Sequence, residues 1–219
     1  MEALTNWFTY VKDNFEFILE DTLDHAQMVL IVIALATVWS VLLGVLIHSR
    51  PIARSIVLSI TGLFLTIPSL ALFALFIPLV GVGNPPAMLA MFLYAQLPIL
   101  RNMVTGLDAV SPAVVESAKG MGLNSRQQLF KVRLPLAYPI VMTGIRVSTL
   151  LTTGIAAIAI LVGGDGLGSF LQAGLTRLGL PNSENSVWVG VVFTVLLGLV
   201  LDLVLATFQR LTTARGLRI

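Results

Sequence analysis

Glu116, Ser117, Ala118, Gly120, Gly122, Leu134 and Pro135 lie in a polar, basic island of an otherwise oily chain, E-S-A-K-G-M-G-L-N-S-R-Q-Q-L-F-K-V-R-L-P. These residue types suit contact rather than bond-making. Glu116 offers a carboxylate for ion pairs and hydrogen bonds. Ser117 and Ala118 are small enough to admit close approach. Gly120 and Gly122 let the backbone turn or take positive φ. Ser111-Pro112 predicts a helix start, with Ser as N-cap and Pro at the first helical position. Ala113 to Lys119 then forms two short turns. Ser125 with Gln128 fits a capping box and predicts a second helix near Arg126. Leu134-Pro135 predicts its end, because the residue before proline avoids the α region. The result is a compact two-helix knob that fits a groove on another protein. DNA readers share that outline, but both ends of this one are tethered to apolar segments, so no nucleic-acid partner is expected. A solvated basic loop is the simpler alternative. Lys119, Arg126, Lys131 and Arg133 read equally well as topology signals and as partner contacts.

Elsewhere the chemistry is sparse. No G-x-x-x-x-G-K-[ST] occurs, so there is no P-loop, and any ATP used must sit on a separate polypeptide. H-E-x-x-H, G-x-S-x-G, cysteine and clustered metal ligands are all missing. The chain is therefore not expected to be an enzyme or to hold a metal or cofactor of its own. His25 and His48 fall near opposite ends of one apolar segment, separated by about 30 Å of helix, and are expected at interfaces rather than as ligands. Charges at membrane depth default to a functional reading. Arg101, Arg146 and Asp202 are such charges. With Asn102 they gather toward one side and could form an inner gate or a paired network, snorkelling or a structural ion pair being the plainer reading. Pro68 removes a backbone hydrogen bond within an apolar segment, and the carbonyl it frees is tolerated only against protein or a watery cavity. A broken helix at that depth suits a solute path, and a structural kink explains it equally well. Pro68, Ser69, Tyr94 and Asn102 are accordingly candidate path residues.

The elements that must hold these residues are membrane spans. The chain is 57% hydrophobic and 11% charged, and its apolar residues come in blocks near the roughly 20 residues that cross a bilayer. Five spans are predicted: about 26–47, 56–80 with Pro68 inside, 86–107, 138–162 and 187–208. Residues 1–25 are expected as an extracytoplasmic segment. Trp7, Val11, Phe15 and Ile18 fall on one helical face, which suits an amphipathic helix at the interface. Its acids, Glu2, Asp13, Glu16, Glu20, Asp21 and Asp24, rule out a secretory signal. Residues 26–219 form the membrane domain, with the knob in a 108–137 loop. Arg50, Arg54, Arg101, Lys119, Arg126, Lys131, Arg133, Arg146, Arg210, Arg215 and Arg218 share one side, against Lys12 and Arg177 on the other. The positive-inside rule makes the first side cytoplasmic. The N-terminus is then outside, the C-terminus inside and the knob in the cytoplasm of a multi-pass cell (inner) membrane protein.

The Glu116–Pro135 stretch resembles the cytoplasmic "EAA" loop of binding-protein-dependent ABC importer permeases: Glu-Ala-Ala, three residues, Gly, nine residues, Ile, one residue, Leu-Pro. Glu116, Ala118, Gly122, Leu134 and Pro135 fall on pattern, Val132 stands for the Ile and Ser117 for the first Ala. Three further segments are similar to the glycine betaine/carnitine/choline (osmoprotectant) permeases: T-I-P-S-L-A at 66–71, P-I-L-R-N-M-V-T-G at 98–106 and G-G-D-G-L-G at 163–168. The resemblance implies an all-α integral membrane protein with the type I ABC importer permease fold, of five spans plus the N-terminal interfacial helix. It also implies the partners: two ABC ATPase subunits that carry the ATP, a second permease subunit, identical or homologous, an extracytoplasmic substrate-binding protein, and membrane lipid. Glu116 would orient the knob, Gly122 permit its turn, and Leu134 and Pro135 anchor it to the fourth span. A quaternary ammonium cargo would suit aromatic faces. Trp39, Phe64, Phe73, Phe92, Tyr94 and Phe193 lie at membrane depth, where such rings more often face lipid or core. The 163–168 stretch is expected as a flexible turn or docking surface. Alternatives are a permease for another small solute such as methionine or a polar amino acid, an ion-driven secondary transporter, and a structural assembly protein.

Overall fold

The computed structural model describes residues 2–213, so Arg215 and Arg218 of the basic tail lie outside it. The described chain is entirely helical. Helix α1 (Glu2–Asp13) leads across Asn14 into α2 (Phe15–Ile47), followed by α3 (Pro51–Phe64), α4 (Ser69–Val80), α5 (Asn84–Asp108), α6 (Pro112–Gly120) and α7 (Ser125–Gln128). A π turn (Leu129–Arg133) joins α7 to α8 (Leu134–Ala156). A 3₁₀ turn (Ala159–Val162), α9 (Gly168–Thr176) and α10 (Ser183–Thr212) complete the chain.

Helix α5 is the centre. It buries residues all round its circumference, among them Ala90, Met91, Ala95, Ile99 and Met103, as expected of a helix covered by neighbours on every side. Pro85 and Pro86 occupy its first turn, where their missing N–H groups cost nothing. Helix α8 packs most extensively on α5, through small residues. A Cβ on Gly144 would stand 2.7 Å from Asn102 Cβ, and one on Gly106 would stand 3.0 Å from the Ala137 carbonyl oxygen. Helix α2 buries Val29, Val32, Ile33, Ala36, Ser40 and Gly44 along one face, and Ile47 at its end joins a smaller cluster with Leu100 and Val104. That three-to-four-residue spacing is one helical stripe, and the opposite face, with Leu35, Trp39 and Leu42, is exposed. Buried polar contacts tie the layers together. Ser40 Oγ donates to Gln96 Oε1 at 2.7 Å, and Ser148 Oγ to the Ala95 carbonyl at 3.0 Å. In an apolar interior such groups need protein partners, since water is absent.

Several expectations are corrected. The predicted single span at 56–80 is two helices, α3 and α4, bent by 96°. Three successive i→i−3 turns close residues 65–67. Pro68 then starts α4 from an extended conformation, φ −58° and ψ 134°. Among the described residues, four helices are long and apolar enough to cross a membrane, or up to five if the bent pair makes one span. The boundary at residue 25 falls inside α2. Helix α1 forms as expected and lays Trp7, Tyr10 and Val11 on Ile18, Phe170 and Val189, with Leu4 and Phe8 exposed. Helix α8 stops at Ala156, six residues short of the predicted 162, where the chain tightens into the 3₁₀ turn. His25 is fully buried rather than interfacial.

Candidate partner-docking site

Helix α6 begins after Ser111, whose carbonyl accepts from Val114 and Val115 N–H. The Ser111 side chain makes no capping bond. Ser117 Oγ folds back onto the Ala113 carbonyl at 2.8 Å. Ala118 is the helix's anchor, only 1% exposed. The end of α6 is a Schellman turn: Leu123 N–H reaches the Ala118 carbonyl at 3.2 Å, and Gly122 N–H the Lys119 carbonyl at 2.9 Å. That turn needs a left-handed residue, and Gly122 has φ +84°. Gly120 stays within the helix.

The second helix is capped one residue earlier than predicted. Asn124 Oδ1 accepts from Gln127 N–H, and Gln127 Oε1 from Asn124 N–H, both at 2.9 Å. Asn124/Gln127 and Ser125/Gln128 have the same spacing, and asparagine is at least as strong a cap as serine. Gln128 Nε2 adds a bond to the Leu123 carbonyl, so the 121–124 turn is closed from both sides.

Leu134-Pro135 does not end this helix, contrary to the sequence expectation. Leu134 holds α geometry at φ −63° and ψ −46°, and its N–H bonds the Leu129 carbonyl five residues back. The wider π turn accommodates a proline that a regular α turn would reject. The chain is thus helical from Ser125 to Ala156 apart from that widening. Leu129 and Leu134 pack against the main core. Pro135 is exposed and lines a groove of about 480 Å³ with Phe130, Tyr138 and Phe208.

Glu116, Lys119 and Arg126 stand exposed on the knob. Apolar Val114, Met121 and Phe130 are exposed beside them, with the Arg126 guanidinium 6.0 Å over the Phe130 ring. An exposed mixture of charged and apolar side chains on a locally braced turn is suited to receiving another protein. Just before α6, Asp108 at the end of α5 holds Arg54 of α3 at 2.5 Å.

The remaining candidates fall into separate places. Arg146 and Asp202 pair through two bonds, Nε to Oδ1 at 2.7 Å and Nη2 to Oδ2 at 2.8 Å, joining α8 to α10. Arg101 is exposed and outside that pair. Asn102 Nδ2 bonds the Pro98 carbonyl and fills the space left by Gly144. Tyr94 comes to Pro68: its hydroxyl donates to the Ile67 carbonyl at 2.5 Å, holding the α3–α4 break. Ser69 sits half-buried in the first turn of α4. The aromatic residues do not converge. Phe73 is in the core, while Trp39 and Phe92 line a wholly apolar groove of about 650 Å³ with Val32, Leu35, Val80 and Met88.

Sequence reasoning missed a second polar cluster, at the other end of α5. Asn84 Nδ2 donates to Asp165 Oδ2 at 2.9 Å, and Asp165 N–H returns to Asn84 Oδ1 at 2.8 Å. Ser169 Oγ donates to Asp21. His25 Nε2 donates to the Thr153 carbonyl at 2.9 Å. The glycines at 163–168 were the signal available, because a glycine run marks close backbone approach.

Three comparisons bear on this geometry. The family model for the "binding-protein-dependent transport system inner membrane component" matches residues 21–213. The glycine betaine/carnitine/choline transport system permease protein OpuCB of Bacillus subtilis (strain 168) is 38% identical over 215 residues, 98% of this chain and 97% of that protein. The osmoprotectant import permease protein OsmW of Salmonella typhimurium is 37% identical, covering 95% of this chain and 98% of that one. In fold, the chain is similar to one in an inward-facing structure of the MetNI methionine ABC transporter, with a TM-score of 0.79 at 21% identity, covering 92% of this chain and 99% of that one.

Proposed function

The chain belongs to the family of binding-protein-dependent transport system inner membrane components, and from that premise we propose that it is the permease subunit of an ATP-driven importer for quaternary-amine osmoprotectants: glycine betaine, carnitine and choline. The cargo rests on relatives that match nearly the whole chain at 37–38% identity, one named for those three solutes and one for osmoprotectants. The likeness to the methionine transporter is at 21% identity and speaks for fold alone.

The observation that carries the mechanism is the braced knob, α6 and α7, continuous with α8. ABC ATPase subunits bind and hydrolyse the ATP and receive this knob. Glu116 and Ser117 meet the ATPase groove, above the buried Ala118 that seats α6, while Gly120 and Gly122 shape the turn. Leu134 and Pro135 join the knob to α8, so that no hinge interrupts the path from docked surface to membrane. A push on the knob therefore moves α8, and with it the tightly packed α5. A second permease subunit completes the path, and an extracytoplasmic binding protein delivers the solute. Pro68 and Tyr94 fix the broken span that borders the path, with Ser69 in the turn that follows and Asn102 apart from them where α5 meets α8. Arg146 and Asp202 hold α8 to α10 through the cycle, with Arg101 free to meet lipid headgroups. The distribution of arginine and lysine supports an outside N-terminus and a cytoplasmic knob and C-terminus.

The test is co-purification in mild detergent followed by an ATPase assay stimulated by the loaded binding protein. Recovery of an ATPase subunit and stimulation by glycine betaine, carnitine or choline is expected. Stimulation by methionine alone would overturn the cargo, and absence of an ATPase partner would overturn the mechanism.

A further inference from the structure

The Gly163–Gly168 loop has no part in the docking knob, and α5 separates the two. That helix is 25 residues long, about 37 Å, with Asn84 at its start and the knob following its end. The loop touches α5 and α2 there, and α2 in turn bonds α8. Asn84 of α5 and Asp165 exchange two hydrogen bonds, and Gly83 N–H reaches the Val162 carbonyl at 2.8 Å. Ser169 holds Asp21 of α2. His25 of α2 donates to Thr153 of α8. The acceptor there is a carbonyl, so the His25 proton sits on Nε2, and Nδ1 is buried without a hydrogen-bond partner. Gly166 lies directly on that ring: a Cβ there would stand 3.0 Å from His25 Cβ and 3.2 Å from Nδ1. Gly166 also has φ +106°, a conformation that side chains rarely adopt. A Cβ on Gly164 would meet Asn84 Oδ1 at 2.9 Å. The glycines are therefore a seat for Asn84 and His25, and the loop is tied down rather than flexible.

We propose that the 163–168 loop is a clasp that holds the far ends of α2, α5 and α8 as one body throughout the transport cycle, with Asn84, Asp165, His25 and Gly166 as its positioning residues. A displacement delivered at the knob then reaches the opposite membrane face without being absorbed by helices sliding past one another. The proposal rests on the transport reading above and adds the part that must stay closed.

The chain has no cysteine, so Asn84→Cys with Asp165→Cys places in it two thiols and no others. The experiment uses the assembled transporter in liposomes, its other subunits stripped of reactive thiols. Oxidation is expected to pair the two thiols and to restore the ratio of ATP hydrolysed to solute imported that loss of the two hydrogen bonds raises in the reduced form. Separately, Asn84→Asp is expected to raise ATP hydrolysed per solute imported by about fivefold or more, because two carboxylates then face each other. Adding Asp165→Asn restores a donor and is expected to return the ratio to the original value, a rescue that loss of folding would not show. Uptake that stops on oxidation and returns on reduction would mean that the clasp opens, overturning the proposal. Thiols that fail to pair, or an unchanged ratio in Asn84→Asp, would overturn it as well. Failure of the unsubstituted transporter to couple ATP to osmoprotectant uptake would count against the functional reading instead, while the thiol pairing would still report on the clasp.

Discussion

The knob and the clasp are both turns built on glycine, at opposite ends of α5, and they are held by different kinds of contact. In the knob the bonds are local: Leu123 to Ala118, Gly122 to Lys119, and Asn124 with Gln127. In the clasp the partners lie far apart in sequence: Asn84 with Asp165, Asp21 with Ser169, His25 with Thr153. A locally braced turn keeps its shape while its surroundings move, as a surface that must engage and release a partner requires. A turn braced on two helices, one of them bonded to a third, keeps those helices together, and it is lost if any one of them departs.

Substitution should expose that contrast most clearly at the paired glycines. Gly164→Val is expected to have the largest effect on stability, about 3 kcal/mol. Its Cβ meets Asn84 Oδ1 at 2.9 Å and the Ala159 backbone at 3.0 Å, and backbone does not move aside. Thermal unfolding of the purified transporter in lipid nanodiscs measures it, and a midpoint equal to the parent's would break the comparison. Gly122→Val should cost less, about 1–2 kcal/mol, from the left-handed backbone alone, since nothing lies within 4 Å of its Cβ position. Its effect should fall on coupling: ATPase stimulation by the loaded binding protein drops while the membrane core stays folded. Unchanged stimulation would remove the knob from the mechanism.

The same contrast explains what the sequence discloses. The knob was legible almost residue by residue, because caps, turns and small residues act within a few positions of themselves. Even its errors were local: the Ser111 side chain makes no capping bond. Asn124 out-competed Ser125 as cap, and a π turn carried the helix through Pro135. An all-α membrane chain and most of its spans were legible from apolar blocks, and the permease fold from the resemblance of the knob. The 96° break was half visible, since Pro68 marks the place but not the angle; Tyr94 and three tight turns set that. Of the clasp, the glycine run at 163–168 was visible but its partners were not. Nothing near Asn84 announces a partner 81 residues away, and His25 looked interfacial because its cover, Gly166, is remote. The Arg146–Asp202 pair shows the limit between these cases: the charges were conspicuous, but only packing of α8 on α10 made them partners.

Smaller effects sharpen the account of the knob. Asn124→Ala removes one half of the capping box and should cost about 1 kcal/mol. The loss should be confined to the 121–128 turn, so hydrogen exchange there should quicken while exchange in α5 and α8 is unchanged. Acceleration spreading into α8 would show that the knob is not locally braced after all.

The least effect is expected at Arg54 and Asp108, which sit beside the knob and look like a strut between α3 and α5. Their side chains are 34% and 50% exposed. Solvent screens such a pair, and the side-chain freedom lost in forming it offsets much of the attraction, so its contribution is below about 1 kcal/mol. Asp108→Asn keeps the shape and removes the charge. Stability should then be nearly that of the parent, and coupling should be preserved at both low and high ionic strength. If the strut carried force, coupling in the parent would weaken with added salt, because exposed charges are screened within about 8 Å at physiological ionic strength, and Asp108→Asn would abolish that dependence. A salt-sensitive parent with a salt-insensitive variant would place part of the force path through α3. The knob would then be braced from a distance as the clasp is, and the distinction between the two ends of α5 would fall.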